Sequence, residues 1–275
     1  MPIEYSRLEN GLRVVLSPDH TAPTATIALD YKIGCRIEPR GRTGFAHLFE
    51  HLMFQGSQNL GKLEYIKLVQ SSGGVLNGST RLDYTNFFAT IPIAALERSL
   101  WAEADRMKGL ALSLESLKNQ QDVVKNEVRV NVLNRPYGGL PWLWMPGAAN
   151  TRWENSHNFY GELDDLDAAT LPEADRFFSD YYRPGNAVLA VVGDIDPRQT
   201  MEWVRKYFGV IAAAPTPKPP DISEPRQEKE RRAVHVDPNA NRPGRGRGRD
   251  RPAAHGPGRG GRARARPHQG ALVAL

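Results

Sequence analysis

Gly44-Phe45-Ala46-His47-Leu48-Phe49-Glu50-His51-Leu52-Met53-Phe54 is the stretch on which the reading of this chain turns. Read as a helix, it stacks His47 and His51 on one face, because residues i and i+4 lie one above the other. Two imidazoles so placed can grip one metal ion. Glu50, three positions after His47 and beside His51, reaches the same spot without being a ligand. The three polar residues stand among Phe45, Leu48, Phe49, Leu52, Met53 and Phe54, and a helix that is apolar nearly all round is a buried one. Buried polar groups need partners, since unpaired burial costs roughly 2–7 kcal/mol on transfer scales. A bound metal meets that need. The competing reading is a core helix with two hydrogen-bonded histidines.

A catalytic zinc takes three protein ligands and keeps one position open. Glu127 is the candidate for the third. In Val123-Val124-Lys125-Asn126-Glu127-Val128-Arg129 it sits among valines that would face a core, where a lone carboxylate is costly. The competing reading is an ordinary helix-surface acid flanked by Lys125 and Arg129, since Glu is rarely fully buried.

Outward from this stretch, the pattern alternates strands and helices. Residues 5–17 read as a hairpin with an Asn10-Gly11 turn, and 24–33 as a second strand. Residues 34–44 form a loop, with Thr43 as N-cap of the histidine helix and Gly56 as the residue that stops it. An amphipathic helix follows over 62–72, then paired strands over 75–80 and 84–91. Helices are expected over 92–108, 113–134, 163–166, 171–182 and 197–208. Residues 186–192 make a buried strand, 216–225 a proline-rich linker, and 233–236 a last short strand. The expected class is α+β, a mainly antiparallel sheet packed against helices.

A chain of 275 residues holds one large domain or two ordinary ones. The net charge of +5 is uneven: between Arg242 and His268 stand nine arginines and one acid, so the rest of the chain is mildly acidic. From Pro238 onward Arg, Gly, Pro and Ala dominate, a composition that cannot bury enough to offset its ordering entropy. The expected domains are 1–214, a linker over 215–237 with its short strand, and a disordered tail over 238–275. The single Cys35 excludes an internal disulfide. Residues 1–7 lack the basic and apolar regions of a secretory signal, so a cytoplasmic protein is expected. No apolar run approaches a membrane span.

His47-Leu48-Phe49-Glu50-His51 is the inverted zinc motif H-x-x-E-H. Glu127 follows His51 at the distance seen in the pitrilysin/insulinase family of zinc peptidases (peptidase family M16), and the residues around both resemble that family. Gly44 to Ser57 is very similar to its signature. Gly73-Gly74-Val75-Leu76-Asn77-Gly78-Ser79-Thr80 and Tyr181-Tyr182-Arg183-Pro184-Gly185-Asn186-Ala187-Val188-Leu189-Ala190-Val191-Val192-Gly193-Asp194 resemble two further stretches of it. The similarity covers roughly residues 4–237.

The resemblance implies a zinc metalloendopeptidase. His47, His51 and Glu127 would hold Zn2+. Glu50 would activate the attacking water and carry its proton to the leaving amine. Asn77, Gly78 and Thr80 would lie on an edge strand that receives the backbone of a peptide substrate. Gln120, one heptad before Glu127, stands where active members commonly carry a second acid, which removes a charge beside the site. The family works as two similar halves forming a clamshell, and the second half supplies an Arg and a Tyr. Residues 4–237 resemble the first half, and the tail reads like a GC-rich coding region out of frame. A partner chain carrying the missing half is therefore expected. The alternative function is a catalytically impaired member acting as a structural subunit. Nucleic-acid binding through the basic tail is the weakest reading, because little aromatic text is interleaved there.

Overall fold

A computed structural model describes residues 2–244 and residue 246. By backbone contacts the chain divides into two units, one of residues 1–126 and 161–219, the other of 127–160 and 220–275. The strands are β1 (Glu4–Arg7), β2 (Arg13–Pro18), β3 (Thr24–Tyr31), β4 (Val75–Thr80), β5 (Thr85–Pro92) and β6 (Ala187–Gly193). The helices are α1 (Phe45–Leu52), α2 (Glu64–Ser71), α3 (Leu96–Lys108), α4 (Leu114–Val128), α5 (Met145–Ala149), α6 (Trp153–Ser156), α7 (Leu163–Ala168), α8 (Leu171–Tyr181) and α9 (Pro197–Phe208). The division falls inside α4, between Asn126 and Glu127, so α4 is one continuous helix whose last turn carries Glu127.

The first unit is built on a six-stranded sheet in the order β1-β2-β6-β3-β5-β4. Every pairing is antiparallel except β2 with β6. The fold is α+β, as the alternation of strands and helices predicts. Side chains alternate across a strand, and one face takes the apolar set. Ala25, Ile27, Leu29 and Tyr31 of β3 are buried, as are Phe87, Ala89 and Ile91 of β5, Leu189 and Val191 of β6, and Val14 and Leu16 of β2. On that face α3 packs against α9, α9 against β2, and α1 and α2 against β4. Strands β1 and β4 end the sheet.

The β1–β2 turn does more than reverse the chain. Gly11 takes φ 92°, which an L side chain adopts only with strain. Beside it, Asn10 Nδ2 donates to the carbonyls of Phe208 at 2.8 Å and Ile211 at 3.0 Å. Those carbonyls belong to the end of α9 and the residues after it, where helix acceptors lack partners. At the other end of α9, Asp196 Oδ1 accepts from Gln199 N at 2.9 Å and Pro197 opens the first turn.

The helical run expected over 113–134 is present over residues 114–133, α-helical over Leu114–Val128 and wider over Arg129–Leu133, where Asn134 N donates to Arg129 O at 2.9 Å. Val128, Val130 and Val132 are β-branched and lose rotamer freedom in a regular helix. Residues 233–236 form no strand, and Val234 and Val236 are exposed. The second unit contains, among its described residues, α5, α6 and two wide helical turns, Arg129–Leu133 and Leu140–Trp144. Glu224 pins its extended segment by accepting from Thr151 N at 3.0 Å and Arg152 N at 3.0 Å. The expected boundary at 214/215 differs from this division, because residues 127–160 cluster with those after 219. The disordered-tail and out-of-frame readings fall almost wholly on residues outside the described ones. No helix among the described residues is long and apolar enough to cross a membrane.

Asn10→Ala leaves two carbonyls at the end of α9 without their donor. It should destabilise the chain by about 1–3 kcal/mol, read as a lowered urea midpoint with unchanged slope.

Candidate metal centre

Helix α1 has only eight residues, and a helix this short is not stable on propensity alone. Its surroundings hold it. Phe45, Ala46, His47, Leu48, Phe49 and Leu52 are all buried. Phe49 packs against Phe177 at 4.9 Å and Tyr182 at 5.4 Å between ring centroids.

Thr43 is not the N-cap. Gly44 takes that position at φ 87°, with no capping side chain of its own. Glu38 supplies the acceptor from the preceding loop: Oε2 accepts from Gly44 N at 2.8 Å and Oε1 from Ala46 N at 2.7 Å. Thr43 turns the other way. Its backbone N and hydroxyl donate to Asp165 Oδ2 at 3.0 and 2.6 Å, and its oxygen accepts from Glu162 N at 2.8 Å. Gly161 closes over the same end: a Cβ there would meet Gly44 N at 2.3 Å. Burial pushes the Glu38 carboxyl up, to about 8, against the pull of its two N–H donors.

The far end of α1 is held by Arg106 of α3. Its Nε donates to Met53 O at 3.0 Å and its Nη1 pairs with Glu103 at 2.8 Å, both side chains being 1% exposed. The guanidinium lies over the rings of Tyr65, Phe87 and Phe54 at 4.3, 4.8 and 5.0 Å. Tyr65 Oη donates to Glu103.

Between these two clamps α1 presents the predicted histidines. The rings of His47 and His51 stand 5.0 Å apart at 79°. One ligand atom from each of His47, His51 and Glu127 lies within 4.8 Å of the others. These three form the group able to hold a metal ion among the described residues. His47 is buried and the other two are half-buried. Two imidazoles and one carboxylate make a donor set that suits zinc, so the residues present fit that ion.

Glu50 stands outside the trio and faces β4. Thr80 Oγ1 donates to Glu50 Oε2 at 2.7 Å, and a Cβ on Gly78 would come within 3.2 Å of Glu50 Cγ. Gly78 and Thr80 therefore face α1. Asn77, on the opposite face of β4, accepts from Gly78 N at 2.9 Å. Among the described residues strand β4 is a sheet edge, with β5 beside it. Gln120 is buried in α4 and donates to Asn119 Oδ1 at 2.7 Å. Its neighbour Gln121 donates to Leu166 O at 2.7 Å and Ala169 O at 3.0 Å, tying α4 to α7 and the residue after it.

Other chemistry-bearing residues are accounted for elsewhere. Burial pushes the Cys35 thiol far up, which suits a packing residue. His20 lies 2.6 Å from Asp194. His157 is buried, with Nδ1 2.7 Å from Trp153 O and its ring stacked on Trp153 at 4.6 Å. His235 stacks on Trp144. His255 and His268 lie outside the described residues. Sequence reasoning missed Glu38 and Arg106. A loop acid seven residues before the helix carried no recognisable signal. A Glu–Arg pair at i, i+3 on the stripe shared with Leu100, Ala104 and Met107 would have shown that α3 buries an ion pair.

Two family models match the chain, Insulinase (Peptidase family M16) over residues 13–136 and Peptidase M16 inactive domain over residues 168–243. The chain belongs to peptidase family M16. Zinc protease PqqE of Helicobacter pylori is 35% identical over 250 residues, which are 84% of this chain and 52% of PqqE. The crystal structure of a protease from Helicobacter pylori superposes with a TM-score of 0.81 at 32% identity, over 87% of this chain and 58% of that one. The first half of the periplasmic protease PqqL from Escherichia coli shares the fold, with a TM-score of 0.71 at 22% identity over 78% of this chain and 47% of that one. The chain thus spans about half the length of PqqE.

The Glu38 carboxyl titrates near 8 in the folded chain, against an ordinary value of 4.5. Between those pH values the folded chain keeps a proton that the unfolded chain has released. Stability therefore falls as pH rises through that window. In Glu38→Gln this component vanishes, so the loss of unfolding free energy between about pH 5 and pH 8 should be smaller than in the unmodified chain, measured by denaturant titration at each pH.

Proposed function

We propose that this chain is the metal-bearing half of a zinc endopeptidase. The observation that carries the reading is the convergence of His47, His51 and Glu127 within 4.8 Å, with Glu50 next to them and held by a strand at the sheet edge. His47, His51 and Glu127 would hold Zn2+, which when bound would supply Lewis-acid polarisation and a water acidic near neutral pH.

The chain's own residues do the rest. Glu50 takes the proton of the attacking water and passes it to the leaving amine. Thr80 fixes the direction of that carboxylate through its bond to Oε2. A peptide adds to β4 as a further strand, satisfying the unpaired backbone groups of that edge. Asn77 and Gly78 lie along the added strand. Strand addition reads backbone rather than side chains, which suits a peptidase of broad sequence preference.

A second family half supplies the Arg and Tyr that complete the substrate wall, a reading supported by the span of the match, about half of PqqE. The second reading, a catalytically impaired subunit, is favoured by one observation: Gln120 is buried and neutral where a second acid is expected.

Glu50→Gln keeps the shape of the side chain but removes the base. It should retain zinc at the unmodified stoichiometry and lose peptide cleavage by about 10²–10⁴-fold, both measured with and without a candidate partner half. Stoichiometric zinc with no cleavage by the unmodified chain in either condition supports the impaired-subunit reading. Undiminished cleavage by Glu50→Gln refutes the assigned role.

A further inference from the structure

Nothing in the zinc reading requires Glu38, yet the geometry assigns it work. We propose that Glu38 is a positioning residue for the metal site: its carboxyl caps α1 and sets the height and rotation at which His47 and His51 face Glu127. The proposal rests on the zinc assignment to those three residues.

The argument begins with register. Successive residues of a helix are separated by about 100° and 1.5 Å, so a small slip of α1 about its axis swings both imidazoles off their common face. A long helix resists such slips through many packed turns. Helix α1 has eight residues and so depends on its ends. Its N-cap residue is a glycine that offers no side-chain acceptor. The first-turn N–H groups of Gly44 and Ala46 are both taken by one carboxyl, one on each oxygen, at 2.8 and 2.7 Å. A two-point contact from a single planar group fixes orientation as well as distance. Ala46 is the residue immediately before His47, so the second bond acts one peptide away from the first ligand.

The anchor is itself immobile. Glu38 is 2% exposed, and Gly161 packs so closely on Gly44 that a methyl group there would collide with its backbone. The two N–H groups of the first turn therefore meet the carboxyl in a buried setting. The other end of α1 is pinned by Arg106 on Met53 O at 3.0 Å. With both ends held, the His47–His51 face has one rotation available. Residues that orient metal ligands without touching the metal commonly change affinity by about 10–100-fold when replaced, and Glu38 fits that description through the backbone rather than through a ligand's ring.

The test uses the whole chain, with zinc itself as the probe, titrated against a competing chromogenic chelator. Glu38→Gln keeps the volume but replaces one acceptor oxygen by an NH2 group facing a backbone N–H. It should weaken zinc binding about 10-fold or more, and the cobalt(II)-substituted form should show a changed visible ligand-field spectrum. Val204→Ala, in the core of α9 away from the site, serves as a control for lost stability. It should lower the melting temperature while leaving zinc affinity and the cobalt spectrum unchanged. Unmodified affinity and spectrum in folded Glu38→Gln overturn the positioning role, as does an equal loss of affinity in Val204→Ala. Should Glu38→Gln fail to fold, Glu38→Asp is measured instead, because it shortens the reach to Gly44 and Ala46 while keeping the carboxyl. Unmodified zinc affinity there overturns the proposal. No zinc binding by the unmodified chain overturns the zinc reading and this inference together, whereas equal binding by unmodified and Glu38→Gln chains overturns this inference alone.

Discussion

Two turns of helix must carry two imidazoles into a nearly dry interior and hold them on one face. An isolated eight-residue helix would fray, so the free energy that keeps α1 in place comes from outside it. The Glu38 carboxyl meets the N–H groups at its start and the Arg106 guanidinium meets a carbonyl at its end. Arg106 is paired in turn with Glu103 and lies over three aromatic rings. A buried ion pair adds little net stability compared with an apolar pair of the same shape, but losing one partner is expensive. The pair is therefore best understood as fixing a position: it specifies where α1 ends.

The sheet serves the same helix from below. Its apolar face supplies Tyr31 and Phe87, which pack beneath the aromatic layer of α1 and the residues after it. Its last strand, β4, places Gly78 and Thr80 under Glu50. A residue larger than Gly at 78 would push into Glu50 Cγ and Phe87, so the strand and the helix approach as closely as they do because one position lacks a side chain. The strand that orients the Glu50 carboxylate is also one that ends the sheet, so a shift of that edge is felt by Glu50.

Local patterns were legible where the chain's own periodicity decides the outcome. Helix α9 runs over Pro197–Phe208 as its proline, aspartate cap and apolar spacing predict, and His47, His51 and Glu127 converge as their motif implies. Long-range contacts were not legible. Thr43 has the chemistry of an N-cap, yet Asp165 takes its hydroxyl and a carboxyl from Glu38 does the capping. No local rule distinguishes those outcomes, because both depend on which loop returns to the helix. At the end of α4 the extent of the helical run was legible and its change of winding was not. Its apolar spacing continues past Val128, and Val132 is buried as that spacing predicts, but the valine-rich backbone widens into a different turn while keeping the same side chains inside.

The charge around Glu127 shows why spacing alone left its role open. Lys125 and Arg129 flank it, which in an ordinary surface helix would mark three solvated side chains. In the folded chain Lys125 is turned toward Asp167 and Asp122, and its ammonium is held there by two carboxylates. One of the two cations beside Glu127 in sequence is thereby paired with carboxylates of its own. A lysine ammonium near the trio would repel a divalent ion, and at an effective dielectric of 20 a unit pair at 4 Å is worth about 4 kcal/mol. The Lys125–Asp167 bond thus protects the electrostatics of the site without touching it. Gln120, buried one heptad before Glu127, adds a neutral amide and no charge to the neighbourhood of that carboxylate, while Thr80 orients Glu50 from the other side through its bond to Oε2.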